Sequence, residues 1–490
     1  MYATRRLHRE GGGNTHAVHV VPFEHAQVEL HSRAPGRVGS RNAEGHGGLG
    51  GGVSRIRHAR RVAQLLSALL LVVTGLPAQV GAEPSTVIVL SWDGTRHDYP
   101  ERAETPALDR LQRDGARAER LIPVFPASTF PNHVSLATGT YPDVHGIVAN
   151  RFTDTERGEY DYSNDASWIH AEPLWVAAER QGVRSATYFW VGSETDWEGR
   201  GASYRKAPFR GADTESTKVE QIIRWLEMDA AVRPRLIMSW WHGCDSVGHN
   251  RGPDHPDIAL QLVRQDVQLA RLLEVLDARG LWESTTLLIV SDHGMTEARA
   301  TLDVMGTLEA ASIGARLVRV GGAGYLWLDD PEQRSEALRV LDALEGMRAY
   351  PSDSMPSGLR SYRPGRSGHL TLVAEPPFVL YGPSMWQRLG LQIERALGAK
   401  RGVHGYRPDH PDMGAIFYAA GRGVAPGIRL SPVRAIDIAA TVSALLGIEP
   451  PAQSEGRAIP GVGTPLELAS DANQEAEPSA SGRRAVPQNR

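Results

Sequence analysis

Three short apolar runs, residues 87–91, 236–240 and 286–291, each lead within a few residues to a carboxylate: Asp93, Asp245 and Asp292. A run that is apolar on both faces belongs to a strand buried on both sides, and such strands occur in parallel sheets covered by helices. The stretches between them fit that plan. Thr105 as N-cap, Pro106 at the first helical position and Gly115 just past the end frame a helix through Leu108 and Leu111. Ile258, Leu262, Leu269, Leu273 and Leu276 recur at helical spacing until Gly280. From Ser85 onward strands and helices alternate, so the expected fold class is α/β, with a mostly parallel central sheet flanked by helices. The folded domain is read as 83–466. Within it, residues 297–400 form an excursion in which 325–328, 331–344 and 370–373 suggest a small βαβ subdomain inserted before His404.

Charge narrows the function. The chain has 53 Lys and Arg against 57 Asp and Glu, and residues 1–82 hold ten of the basic but only four of the acidic ones. The other 408 residues therefore carry 43 positive and 53 negative side chains, a net of −10. Such a surface lacks the footprint of a nucleic-acid coat protein and argues against sequence-specific nucleic-acid binding; any phosphate handled here needs local positive charge such as metal ions. The single cysteine, Cys244, excludes an intramolecular disulfide framework and a cysteine-built zinc finger.

The N-terminus reads as processing. Arg55, Arg57, Arg60 and Arg61 precede an apolar stretch at 62–76, followed by Pro77 and the small-residue tripeptide Val80-Gly81-Ala82. This is the pattern of a secretory signal, and about 15 apolar residues is short of the roughly 20 that span a bilayer. Residues 55–82 are expected to be a signal peptide cleaved after Ala82, with an uncleaved signal anchor as the alternative. Residues 1–54, rich in Gly, Arg and His without periodicity, are expected to be a disordered or mis-assigned extension, and 467–490 a disordered tail. The folded part would be exported, periplasmic or secreted, and held at a membrane only if the segment stays uncleaved.

Open α/β sheets bind ligands at the carboxyl ends of their strands, so the three acid-tipped strand ends can converge. A single Asp after a strand is usually a turn or cap residue; the joint occurrence changes the reading. Asp245 and His249 can aim at one ion, and Asp292 and His293 offer a carboxylate and an imidazole from adjacent positions. Oxygen and nitrogen ligands without thiolate suit zinc, with manganese or cobalt as substitutes. In Pro126-Ala-Ser-Thr-Phe-Pro-Asn-His133, Pro131 places Thr129 at a helix N-terminus. There it is either an ordinary N-cap or an alkoxide stabilised by the helix dipole.

Asp93, Thr129-Phe130-Pro131-Asn132-His133, Tyr141-Pro142-Asp143-Val144-His145-Gly146-Ile147, Asp245-Ser-Val-Gly-His249, Asp292-His293-Gly294 and His404-Gly405-Tyr406 follow one another in the chain. In this order they resemble the nucleotide pyrophosphatase/phosphodiesterase family of the alkaline phosphatase superfamily, over roughly residues 85–450. The resemblance implies an alkaline phosphatase-like core with two zinc ions per chain. One ion would be held by Asp93, Thr129, Asp292 and His293, the other by Asp245, His249 and His404. It further implies Thr129 as nucleophile, forming a covalent phospho-threonine intermediate, and Asn150 with a backbone N–H near Phe130 as donors to a phosphoryl oxygen. Phe130, Trp190 and Tyr204 correspond to the substrate pocket of nucleotide-hydrolysing relatives. The chain departs from the family pattern at Val191, at Gly243-Cys244 and at Arg407, none of them a ligand position. The expected substrate is a small phosphodiester or nucleotide. Alternatives are a lipid-headgroup or phosphocholine diesterase, a phosphonate hydrolase, or an exported binding protein that merely keeps the fold.

Overall fold

All seven residues of Thr86–Trp92 (β1) are buried, as a strand with helices on both faces must be. The computed structural model describes residues 84–381 and 400–464; the expected N-terminal extension (1–54), signal segment (55–82) and tail (467–490) lie outside them. Among the described residues no helix is long and apolar enough to cross a membrane. The strands that follow are β2 (Gly115–Ala118), β3 (Ser185–Tyr188), β4 (Tyr204–Lys206), β5 (Leu236–Trp241) and β6 (Thr285–Val290). Next come β7 (Ala315–Val320), β8 (Ala323–Leu328), β9 (Met347–Pro351), β10 (Leu370–Ala374), β11 (Phe417–Gly421) and β12 (Ile428–Leu430). Eight of them form the central sheet in the order β12-β2-β11-β6-β1-β5-β3-β4. The run β4-β3-β5-β1-β6 is parallel throughout. Only β11 reverses, pairing antiparallel with β6 and β2. The mostly parallel α/β class expected from the apolar runs is the observed one.

Alternate residues of β1 feed two cores, as the strand period of two requires. Val87 and Val89 pack with Leu136, Ile438 and Val442 from helices Thr129–Thr138 and Asp437–Leu446. Ile88 and Leu90 pack with Leu108, Ile222 and Leu269 from helices Pro106–Asp114, Glu215–Leu226 and Asp257–Ala278. One detail of the sequence reading changes. Thr105 makes no capping hydrogen bond; instead the Ala107 and Leu108 N–H groups donate to the Asp266 carboxylate at 3.0 and 2.9 Å. A carboxylate from a neighbouring helix thus satisfies the donors that a local cap would have taken.

The excursion contains a second sheet, β7-β8-β10-β9, in which every neighbouring pair is antiparallel. The expected helix, Arg334–Leu341, leads into β9 rather than into 370–373. β10 then inserts between β8 and β9, which run parallel to one another, so the expected βαβ unit is split. β9, Met-Arg-Ala-Tyr-Pro, is too short and too mixed to read as a strand; Met347 joins Leu326, Leu341 and Leu372 in the subdomain core.

Candidate metal centre and nucleophile

β5, β1 and β6 are adjacent, in register from Val87 opposite Leu236 and Thr286, so their carboxyl ends lie side by side. Asp93 follows β1, Asp245 opens helix Asp245–Arg251 after β5, and Asp292 and His293 follow β6. The first two are locked together: the Cys244 and Asp245 N–H groups donate to the Asp93 carbonyl at 2.8 and 3.1 Å. Gly243 makes that approach possible. Its φ is +57°, and a Cβ there would stand 1.9 Å from the Asp93 carbonyl oxygen, so the Gly243-Cys244 departure has a local steric reason.

Ligand atoms of Asp245, His249 and His404 all lie within 4.8 Å of one another, as do those of Asp93, Asp245 and His293. Asp245 therefore stands between the two expected ligand sets. Asp292 completes the cluster, its Oδ2 3.3 Å from His293 Nε2. The orientation of the imidazoles is uniform. Nδ1 of His249, His404 and His293 faces the carbonyl of Gly402, Ala127 and Gly294 at 2.9, 3.0 and 2.9 Å. An Nδ1–H donated to a carbonyl leaves the Nε2 lone pair available, which is how metal-binding histidines are held. Facing them, Asp93 Oδ1, Asp245 Oδ1 and Asp292 Oδ2 are buried without a hydrogen-bond partner. Buried carboxylate oxygens with no donor are costly, and this donor set fits divalent cations held by oxygen and nitrogen.

Electrostatics agree. Burial, followed by the charges of Asp292 and Asp245, pushes the Asp93 carboxyl well above its ordinary range. Burial disfavours the charge on Asp292 too, but the imidazoles of His293 and His133 outweigh it and hold that carboxyl below the usual range. Asp245 is likewise held low against burial by His249 and His404. Burial, with His293 and His249 alongside, drives His404 down to about 3.

Thr129 is the first residue of helix Thr129–Thr138, with Ser128 at the N-cap position. Its hydroxyl lies 3.2 Å from His293 Nε2. The loop before it is fastened by Asn132, whose amide accepts from the Val124 N–H at 2.6 Å and donates to the Pro126 and Ser128 carbonyls at 3.1 and 2.9 Å. Asn150 Oδ1 accepts from the Phe130 N–H at 2.8 Å and from the Ser128 hydroxyl at 3.2 Å. The Phe130 N–H, expected to face a phosphoryl oxygen, is thus occupied by Asn150. The Asn150 Nδ2 group makes no hydrogen bond to the described residues. A cleft of about 480 Å³ adjoins it, lined by Ser128, Asn150, Arg151, Tyr162, His249 and His404 together with residues 317–321 of the subdomain, Arg319 among them.

Of the three expected pocket residues only Phe130 is at the site. Trp190 is fully buried in the central core, its indole donating to the His133 carbonyl at 3.0 Å. Tyr204 starts the edge strand β4 and donates to the Val232 carbonyl, on the loop that leads into the amino end of β5; the site is at the opposite end of that strand. The aromatic wall has other members. Phe130 meets Tyr162 edge-on at 5.2 Å and Trp240 at 6.5 Å, and Phe209 stacks on Trp240 at 5.3 Å. Tyr162 and Phe209 are 48% and 38% exposed. Trp240 also donates its indole N–H to Asp93 Oδ2 at 2.9 Å. His133, whose Nδ1 lies 2.9 Å from the Thr129 carbonyl and 3.4 Å from Asp292 Oδ2, ties the helix to the carboxylate cluster. Its place in the Thr-Phe-Pro-Asn-His run was the one sequence signal for this.

An α/β sheet with candidate oxygen and nitrogen ligands at three adjacent strand ends, and a hydroxyl at a helix N-terminus beside them, accords with the alkaline phosphatase-like superfamily that comparison with known proteins shows. Residues 87–407 match the family described as type I phosphodiesterase / nucleotide pyrophosphatase, and the chain belongs to that family of phosphoric diester hydrolases and nucleotide pyrophosphatases. An uncharacterized pyrophosphatase/phosphodiesterase of Schizosaccharomyces pombe is 33% identical over 387 residues, covering 75% of this chain and 78% of that protein. Venom phosphodiesterase 2 of Crotalus adamanteus is 27% identical over 76% of this chain, which spans 46% of the venom enzyme's own length. Murine ectonucleotide pyrophosphatase/phosphodiesterase 5, solved as an inactive variant in complex with AMP, has the same fold, with a TM-score of 0.67 at 22% identity over 75% of this chain and 96% of that one.

Proposed function

We propose that this chain is an exported, zinc-dependent phosphodiesterase or nucleotide pyrophosphatase acting through a covalent phospho-threonine intermediate. The observation that carries the reading is the clustering of Asp93, Asp245, His249, His293 and His404, with Asp292 beside His293 and the Thr129 hydroxyl 3.2 Å from His293 Nε2. Asp93, Thr129, Asp292 and His293 would hold one zinc ion, and Asp245, His249 and His404 the other. Bound there, the ions would neutralise the anionic oxygens of the substrate and lower the pKa of the Thr129 hydroxyl. Thr129 then attacks phosphorus in line, its P–O bond forming as the bond to the leaving oxygen breaks. Asn150 turns its Nδ2 group to a non-bridging oxygen and stabilises charge without titrating. Water attacks the phospho-threonine from the vacated side and releases Thr129.

A diester carries a second ester group where a monoester carries charge, and an uncharged wall suits it better than a cationic clamp. Phe130, Trp240, Phe209 and Tyr162 supply apolar faces for it, with the Arg151 guanidinium over the Tyr162 ring at 5.0 Å and Arg319 also in the cleft lining, and aromatic faces suit a stacked base or aryl group. The same reading takes residues 83–466 as the catalytic domain, 297–400 as its insertion and 55–82 as the export signal.

The test is the relative turnover, by zinc-loaded protein, of p-nitrophenyl thymidine monophosphate, p-nitrophenyl phosphate and p-nitrophenylphosphorylcholine. The thymidine diester is expected to be fastest. Faster monoester turnover would refute the diesterase reading, and preference for the choline diester would move the substrate to lipid headgroups.

A further inference from the structure

The inserted subdomain contributes none of the candidate ligands, yet it grips the segment that carries Asn150. Gly146 and Val148 precede Asn150, and Asp154 follows it at the end of the short strand Arg151–Asp154. Arg366, on the loop between β9 and β10, donates Nη1 to the Gly146 carbonyl at 2.7 Å and Nε to Asp154 Oδ2 at 2.7 Å. The same Nη1 reaches the Trp168 carbonyl at 3.1 Å, and Nη2 lies 3.1 Å from His170 Nε2. Tyr325, on β8, donates its hydroxyl to the Val148 carbonyl at 3.0 Å. Backbone pairing adds a further tie, from the Thr155 N–H to the Gly365 carbonyl at 3.0 Å.

These partners are not surface decoration. Arg366 is 2% exposed and Tyr325 fully buried. A buried guanidinium is costly unless its donors are matched, and this one meets a carboxylate, two carbonyls and an imidazole. Gly146 is fitted to it: with φ at +82°, a Cβ there would stand 2.7 Å from Arg366 Nη1. The segment is thus held on both sides of Asn150 by groups about 170 to 220 positions away in the chain. Donors to a developing charge work by being in place beforehand, and an error of about 1 Å can cost on the order of a hundredfold in rate.

We propose that Arg366 and Tyr325 are positioning residues for the reaction, and that the subdomain serves to hold Asn150 Nδ2 against the phosphoryl oxygen. This rests on the reading of Asn150 given above. A merely structural tie would lower stability alone or slow every variant by the same factor; a positioning role runs through Asn150 and vanishes when that amide is gone.

The experiment is a double-mutant cycle on the zinc-loaded full chain with p-nitrophenyl thymidine monophosphate. Tyr325→Phe removes one hydroxyl and keeps the ring; it is expected to lower kcat about tenfold with KM and zinc content unchanged. In an Asn150→Ala background the same change is expected to alter kcat less than about twofold. Arg366→Lys should behave alike with a larger loss, and if it does not fold, Tyr325→Phe decides. An unchanged kcat in Tyr325→Phe, or the full tenfold loss repeated in the Asn150→Ala background, overturns the proposal. A wild-type rate in Asn150→Ala alone overturns instead the role assigned to Asn150, and with it the basis of this inference.

Discussion

Under the proposed reading Thr129 reacts and Asn150 stabilises, from two different segments, and their substitutions should separate. Thr129→Ala is expected to lower turnover at least about a thousandfold while fold and most metal content survive, because the hydroxyl supplies the nucleophile and only one weak ligand. Single-turnover trapping should label Thr129 in the parent; a label elsewhere, or near-normal rates in the Ala variant, would reject the covalent route. Asn150→Ala should cost roughly 2.7 to 4 kcal/mol of transition-state stabilisation, the size of one lost oxyanion donor, read as a fall in kcat/KM. Trp240 presents a different case. Its indole N–H holds Asp93 Oδ2 at 2.9 Å, and losing a partner of a ligating carboxylate typically weakens metal binding about 10- to 100-fold. Trp240→Phe should therefore show that drop in a chelator-competition titration with zinc, while the ring still packs against Phe209.

The turn that joins the nucleophile helix to the Asn150 segment contains a buried base. His145 Nε2 lies 3.0 Å from the Ser135 hydroxyl on the nucleophile helix, and its Nδ1 accepts from the Ile147 N–H at 3.1 Å. Burial, with His170 and Arg366 nearby, drives it from its ordinary 6.5 to about 3. Above pH 6.5 neither folded nor unfolded chain protonates it. Between about 6.5 and 3 the unfolded chain binds a proton that the folded one refuses, so stability falls as pH falls, by on the order of 5 kcal/mol in all. His145→Asn keeps an acceptor for Ile147 and removes the titration. Its denaturation midpoint should depend less on pH across that window than the parent's; parallel curves would show that His145 does not contribute to the acid sensitivity.

For the whole molecule, three buried carboxylates clustered at the carboxyl ends of the central strands, each with an oxygen that lacks a hydrogen bond, are a destabilising arrangement without cations. Ions bound only by the folded state stabilise it by mass action, about 2.7 kcal/mol per site at a hundred times the dissociation constant. Chelation should thus abolish activity and lower the Tm together, and about two equivalents of zinc should restore both. A metal-free protein, proven so by elemental analysis, with full activity would defeat the bimetallic reading.

The strand ends were legible because their signal is local: an apolar run followed by an acid names both the buried strand and the end at which ligands gather. Asp93, Asp245, His249, Asp292, His293 and His404 converge as that rule and the family resemblance imply. The aromatic wall was not legible, for a physical reason visible at Trp240 and Trp241. Adjacent strand residues point to opposite faces, and only packing decides which face is the site: Trp240 turns to Asp93 and Phe209, whereas Trp241 is buried against Trp92. Trp190 and Tyr204 failed likewise, since aromatic character is the same in a core, on a sheet edge and in a pocket. The cap of helix Pro106–Asp114 came from Asp266, far along the chain, because burial let a distant carboxylate displace the local hydroxyl. From its own order of residues this chain determined an α/β sheet and the candidate ligand and nucleophile positions at its strand ends, all carried by short-range patterns. Which side chains wall the site depended on contacts between residues about 30 to 150 apart, and the reach of Arg366 and Tyr325 to the Asn150 segment on contacts about 180 to 220 apart, which only the folded chain brings together.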